Sequence, residues 1–333
     1  ARVRESFRQQ GLKHVGIIGK FSTRNPNQEL QLERLIKDGL DHVSLGHRMS
    51  GHLNFPRRVA TTYLNEAIWK LYSSFASSVN AFFRDQGISV PVYILKADGG
   101  TFDIAQSVEF PVHTILSGPA ASIMGILCMT GDNREDAITL EIGGTTTDIA
   151  VFADGVPLLE AFGVTMEGHK TLIRGLRSKP VGIGGDSKVS FEDGRLSIGP
   201  QREGPAAAFG GPCPTPTDAM IVLGLTDIGD PTLAEKAVQE IARAMGSTLR
   251  EAAEVIFEQS CQLIARHVPS VIDEINNQPV YTIHELLEGK KLFPKVLYII
   301  GGPAKPMAER LGQLLQCPVS IPPQFEVANA IGA

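Results

Sequence analysis

The chain has 333 residues, 31 basic against 36 acidic, for a net charge of −5. Apolar residues make up 43% and charged residues 20%, which excludes a disordered chain. The slightly acidic balance argues against a nucleic-acid binder, and no run of 18 apolar residues offers a membrane span.

At roughly 150 residues per domain the length predicts two domains. In chain order, residues 15–19 predict a strand, 28–37 a helix and 43–45 a second strand. Apolar residues recur at three and four from Val59 through Tyr63, Leu71 and Phe75 to Phe83, predicting a helix over 59–86 that Gly87 stops. A strand over 90–95 and a helix over 117–129 follow, the helix opened by Ser117 and Pro119. Strands and helices alternate, the signature of a sheet covered by helices. The polar stretch 130–136 is the expected boundary, giving domains 1–133 and 134–333.

Beyond it, strands are expected at 137–140, 148–152 and 156–160, with Asp154-Gly155 closing a hairpin. Two more, 188–191 and 195–198, flank the turn at Asp193-Gly194. Helices are expected at 231–245 and 248–276, the second opened by the capping box Thr248/Glu251. A buried strand at 295–300 runs into Gly301-Gly302, followed by a helix over 307–315 and a strand over 319–321. Residues 328–333 read as a helix cut off midway, and position 1 is Ala without a signal-peptide pattern behind it. These ends raise the expectation of an excised fragment.

Cys128, Cys213, Cys261 and Cys317 lack metal-ligand spacing and read as buried free thiols of a reducing, cytoplasmic compartment. His42, His47 and His52 recur every five residues, which repeats on no helix face, so they read as surface or loop residues.

The strongest chemical signal is the run from Glu141 to Asp148. Gly143 and Gly144 would let a backbone turn approach a phosphate, their N–H groups converging on the anion. The hydroxyls of Thr145, Thr146 and Thr147 add neutral donors, and Glu141 and Asp148 place carboxylates suited to hydrated Mg²⁺ or a water. An ordinary Gly-Gly hairpin is the other reading. Gly301 and Gly302 follow a buried strand, where an open α/β sheet binds ligands, although a plain strand-to-helix turn uses the same letters. Asp98, Gly99 and Gly100 read either as a further phosphate loop or as a cleft wall touching substrate. The Gly/Pro-rich loops 182–188 and 210–218 are weaker signals, Thr217-Asp218 reading as a helix cap.

Taken in order, Ser117-Gly118-Pro119, the 141–148 loop, Gly204-Pro205 with Pro216-Thr217-Asp218, Gly301-Gly302 and Ile321-Pro322-Pro323 resemble the hydantoinase A/5-oxoprolinase family. This is the A-type subunit also seen in acetone and acetophenone carboxylases. The resemblance implies an α/β actin-like ATPase fold, two ribonuclease-H-like domains clasping ATP and Mg²⁺. It implies activation of a cyclic amide, or of a ketone for carboxylation, by phosphorylation, beside a B-type partner subunit. It makes 141–148 the second phosphate loop, with Glu141 and Asp148 catalytic and Glu141 on the metal, and makes Gly301-Gly302 the adenosine loop. Four departures stand out: Glu141 where the family usually has Asp, Pro303-Ala304-Lys305 where it keeps small residues, an insertion-like 277–294, and no first phosphate loop in residues 1–30. The first domain is therefore expected to be incomplete and the fragment alone inactive. An actin-like binding module or sugar-kinase relative is the reading from another functional class.

Overall fold

The computed structural model of the chain describes residues 2–131, 133–160, 162–277 and 291–333, so most of the insertion-like segment lies outside the described residues. The chain divides into two compact units, residues 1–121 with 159–176 and residues 122–158 with 177–333. The division falls inside the helix Ser117–Thr130, ahead of the polar stretch at 130–136.

In the first unit, strands His14–Ile17 and His42–Leu45 pair in parallel, joined through helix Asn27–Ile36. Ile17, Ile36 and Leu45 form the core of this piece, with Phe7, Val15 and Leu30 packed against it. The long helix spans Phe55–Asp85; Asn54 caps it by accepting the Arg57 amide at 3.3 Å. The apolar stripe that predicts this helix is mostly its outer face: Tyr63 is 70% exposed and Leu71 80%. Its inner face is polar, with Arg58, Thr61, Thr62, Asn65 and Glu66 buried. The expected 90–95 strand shortens to Tyr93–Leu95, since Pro91 has no N–H to give a ladder. It pairs antiparallel with Thr101–Asp103.

The inner face of the helix is polar because it anchors loops. Arg58 donates to the carbonyls of Gly19, Lys20 and His52. Glu29 accepts from the amides of Gly19 at 2.6 Å and His47 at 3.0 Å, and its Oε2 lies 2.6 Å from His47 Nδ1. His42 stacks on Trp69 with ring centroids 4.4 Å apart and meets Glu66 at 2.7 Å. His42 and His47 are therefore half-buried and paired with carboxylates, correcting their expected surface role; His52 is exposed.

The second unit is built on one mixed sheet. Along its main path the strands run in the spatial order Ser178–Val181, Thr147–Ala153, Ala137–Ile142, Val296–Ile300, Val319–Ser320, and a sixth, Val156–Pro157, pairs with Thr147–Ala153 off that path. Thr147–Ala153 is antiparallel to both of its neighbours, Ser178–Val181 and Ala137–Ile142, and the last two strands run parallel to Ala137–Ile142. This is the five-strand order of a ribonuclease-H-like domain in the α/β actin-like ATPase fold. Leu140, Ile142, Ile149, Leu297 and Ile299 are fully buried in it. Helices Pro231–Met245 and Leu249–Ala265 pack with the hairpin Val189–Glu192/Arg195–Ile198 around Val238, Ala252 and Ile256.

The capping box Thr248/Glu251 is formed, the Thr248 amide donating to the Glu251 carboxylate at 2.9 Å. The single helix expected over 248–276 is two, Leu249–Ala265 and His267–Asn276, because Pro269 has no N–H to offer the preceding turn. Cys213 and Cys261 are buried as expected, while Cys128 is exposed on its helix despite apolar neighbours in sequence.

Candidate functional site

The turn Gly143–Thr146 links two antiparallel strands of the second unit, with Glu141 directly opposite Asp148 in register. Side chains opposed in register share one face of the sheet, so the two carboxylates are neighbours. Both are pushed above the usual carboxylate range. Burial does this to Asp148; burial also raises Glu141, the nearby Ser122 hydroxyl works against it, and the Asp148 charge adds to it.

Gly143 donates to Thr146 O at 2.9 Å, closing the turn on itself, so its N–H is not free for an anion. The amides of Gly144, Thr145 and Thr146 have no partner among the described residues. The Thr147 hydroxyl is buried and donates to Ile183 O at 2.7 Å, a structural bond. Neither Gly143 nor Gly144 has positive φ. The demand for glycine at 144 comes from a close approach: a Cβ there would lie 2.5 Å from the Asp186 carboxylate.

The loop carrying Asp186 lies against this turn. Gly185 and Asp186 donate their amides to the carbonyls of Gly143 and Gly144 at 2.9 and 2.8 Å. Arg202 then bridges Asp186 at 2.7 Å and the Thr145 hydroxyl at 3.1 Å, putting a guanidinium beside the free amides. Thr217 donates both its amide and its hydroxyl to Gly185 O. The cap of helix Pro216–Val222 is Thr215, with Asp218 completing a capping box, rather than Thr217-Asp218. Asp218 is fully buried and also accepts the amides of Ala207 and Ala208, tying the 204–210 segment to this helix.

Gly301 ends the Val296–Ile300 strand at φ +94°, where a Cβ would lie 2.2 Å from Ile142 O, so only glycine fits. Gly302 stands clear of any neighbour. Gly143, Gly144, Gly185, Asp186, Thr217 and Gly302 all line one cavity of about 210 Å³. The two glycine pairs singled out from sequence thus meet, and the 182–188 and 210–218 loops join them. Arg202 and Asp186 escaped the sequence reading because their roles rest on tertiary contacts, Arg202 with Asp186 16 residues away and with Thr145 57 residues away; Gly184-Gly185 before Asp186 was the available signal.

Asp98, Gly99 and Gly100 belong to the first unit, as the turn of the hairpin Tyr93–Leu95/Thr101–Asp103. Gly99 has φ +81°, and the Gly100 amide donates to the Asp98 carboxylate at 3.1 Å. No group of three His, Cys, Asp or Glu side chains among the described residues is placed to hold a metal ion. The pair Glu141/Asp148 still offers hard oxygen donors of the kind Mg²⁺ takes beside phosphate. Among the described residues no helix is long and apolar enough to cross a membrane.

The comparisons with known proteins agree with this architecture. The chain is 28% identical over 230 residues to the caprolactamase subunit alpha of Pseudomonas jessenii, covering 66% of this chain and 32% of that protein. It is 30% identical over 226 residues to the 5-oxoprolinase of Saccharomyces cerevisiae, covering 64% and 17%. Among solved structures it is similar to nucleotide-free acetone carboxylase, with a TM-score of 0.78 at 18% identity, and to the ATP-dependent caprolactamase of Pseudomonas jessenii, with 0.71 at 22%. These likenesses cover 99% and 98% of this chain and 48% of each solved chain, so it spans about half their length. The hydantoinase/oxoprolinase family profile matches residues 58–333. With most of its length matched, and the site loops lying inside that range, the chain belongs to the hydantoinase/oxoprolinase family.

Proposed function

We propose that this chain is the nucleotide-binding part of an ATP-dependent hydrolase subunit that opens a cyclic amide of the hydantoin or 5-oxoproline type. The observation that carries the reading is the glycine-lined cavity beside three unpartnered amides and the Arg202 guanidinium. Those donors suit phosphate oxygens, and fixed donors of this kind stabilise charge as it develops during phosphoryl transfer. Gly302 leaves room for the adenosine on the opposite rim, with Gly301 packed against Ile142 to set the turn. Glu141 and Asp148 would hold Mg²⁺, whose chemistry is neutralisation of phosphate charge. The two domains of the proposal are 1–133 and 134–333, the second carrying the nucleotide loops.

The amide oxygen takes the γ-phosphoryl group and ADP leaves. Water adds to the activated carbon, and the C–N bond breaks with the nitrogen taking a proton. A second water releases inorganic phosphate from the resulting acyl phosphate. Relatives named as subunits, caprolactamase alpha and acetophenone carboxylase gamma, support a B-type partner subunit for this chain. Four cysteines with no disulfide support a cytoplasmic setting.

The test is to combine the protein with its B-type subunit, Mg-ATP and either hydantoin or 5-oxoproline, and to measure ADP and ring-opened acid together. Stoichiometric formation of both supports the reading. ADP formed only with a ketone and bicarbonate would reassign it to carboxylation, and no ADP with either class would refute it.

A further inference from the structure

In the first unit the strands His14–Ile17 and His42–Leu45 pair with His14 directly opposite His42. Partners in a parallel ladder sit side by side on one face, about 4.8 Å apart. Here that face meets the long helix, where Glu66 and Trp69, three residues apart, lie on one side. Glu66 Oε1 accepts from His42 Nδ1 at 2.7 Å. Glu66 Oε2 lies 3.6 Å from His14 Nδ1, too far for a hydrogen bond. The Glu66 side chain is only 7% exposed, and Oε2 and His14 Nδ1 are both withdrawn from solvent without a hydrogen-bond partner among the described residues. The His42 and His14 rings lie 4.4 and 5.6 Å from that of Trp69, whose Nε1 is likewise buried and unpartnered.

One buried carboxylate is thus set against two imidazoles. A carboxylate out of water costs stability unless it is compensated. With both rings neutral the cluster keeps a full negative charge. One more proton, on either ring, cancels that charge and makes the contact charge-assisted, roughly twice as strong as a neutral bond. A protonated His42 also gains from the indole face it stacks on. Histidine is the side chain that changes charge between about pH 5 and 8. The other charged groups round the cluster are Glu33, Lys37 and Asp41, with Arg48 and Glu109 paired to each other at 2.7 Å, all lining a cavity beside His42 and Trp69. Carboxylates, lysines and arginines ordinarily titrate outside that window. His47, past the end of the second strand, is engaged by Glu29 instead. The same strand also has a seat that no proton alters, the Asn65 amide donating to Ser44 Oγ at 2.8 Å.

We propose that His14, His42 and Glu66 form a pH-sensitive clasp. One added proton draws the strand pair onto the long helix, and its loss at higher pH loosens that pair. The effect reaches a cavity of about 650 Å³ in this unit. Past Leu45 the chain turns through helix Gly46–Met49 into residues 50–54, and Met49 with that segment forms one wall of the cavity. The clasp therefore sets how firmly the wall is held.

Trp69 is the single tryptophan of the chain, so its emission reads the stacked ring directly, with no nucleotide or substrate present. Emission of the whole chain is followed from about pH 5 to 8.5, alongside hydrogen exchange at residues 15–17 and 43–45 corrected for the intrinsic rate. The parent should show one emission transition in that range. His42→Gln should abolish it, and Glu66→Gln should move its midpoint down by about one pH unit. In the parent the strand amides should open about tenfold more often near pH 8 than near pH 6, as the gain from a charge-assisted bond implies. That ratio should vanish in Glu66→Gln and persist in His47→Gln. His14→Gln, at a ring one quarter exposed, should keep the emission transition and lose part of the ratio, a reading that stands even if Glu66→Gln fails to fold. A flat emission curve in the parent, a transition that survives His42→Gln, an unmoved midpoint in Glu66→Gln, or a ratio unchanged in Glu66→Gln or His14→Gln would each overturn the proposal. So would a ratio abolished by His47→Gln.

Discussion

Glu29 and Glu141 are two carboxylates withdrawn from water, one in each unit, and they are treated oppositely. Burial pushes Glu29 up, but the amides of Gly19 and His47, the Ser22 hydroxyl and the His47 ring outweigh it and hold it below the usual 4.5. Glu141 has only the Ser122 hydroxyl to offset burial, and it faces Asp148, so it stays raised. A carboxylate that satisfies its neighbours fixes a loop. One left short of partners costs stability, and it is the one free to take a ligand. The contrast separates scaffold from site.

The largest effect should come from breaking the scaffold. Glu29→Ala strands two amides and an imidazole, at about 1–3 kcal/mol for each buried donor, less where solvent reaches in. A net loss of about 3 kcal/mol, or roughly 6–12 °C in the melting of that unit, is expected by calorimetry. Nucleotide response of the second unit should be unchanged. If both are lost together, Glu29 is not mere scaffold.

Next is Gly144→Val, whose added carbon meets the Asp186 carboxylate. ATP affinity should fall on the order of a hundredfold, about 2.7 kcal/mol, with circular dichroism close to the parent. Unaltered affinity would remove the turn from the phosphate site.

Glu141→Gln should do two things of opposite sign. It should weaken the magnesium-dependent part of ATP binding about tenfold, as expected for a lost charged ligand. It should also raise the melting temperature near neutral pH by about 2 °C, the shift of a gain under 1 kcal/mol. A variant less stable than its parent would contradict the unsatisfied state of Glu141.

The smallest effect is the pH dependence. For Glu141 the folded value is raised, so its relative contribution is fullest below 4.5 and is lost as pH rises through the folded value. For Glu29 the folded value is lowered, so its contribution is present above 4.5 and is lost as pH falls through the folded value. Melting curves of parent and glutamine variants from about pH 3.5 to 7 should converge at the acid end for both pairs. At neutral pH, Glu29→Gln should be less stable than the parent and Glu141→Gln more stable.

Much of the second unit was legible in the sequence because its strands are short apolar runs closed by Asp-Gly and Gly-Gly turns. Ile299 is buried as expected of the 295–300 strand, and Leu140 and Ile149 are buried within expected strands, while Ile142 is buried in a strand that runs two residues past its expected end. The first unit was harder to read, since its long helix turns polar residues inward. The burial of Arg58, Asn65 and Glu66 depends on partners at Gly19, His42, Ser44, Glu109 and Val112 that no local pattern announces. The same reason hid the pairing of His42 and His47. In the site, the glycines were visible as letters, but Gly143 as a spent donor and Thr147 as a structural hydroxyl emerge only from tertiary hydrogen bonds.

The most direct test of the central claim is hydrogen exchange with and without Mg-ATP, read amide by amide. The account predicts slowed exchange at Gly144, Thr145 and Thr146, whose N–H groups have no protein partner, and at Gly302 on the facing rim. Gly143, already bonded to Thr146, should change least within the turn. Unchanged exchange at 144–146, with protection elsewhere in the chain, would contradict the assignment of this cavity to nucleotide.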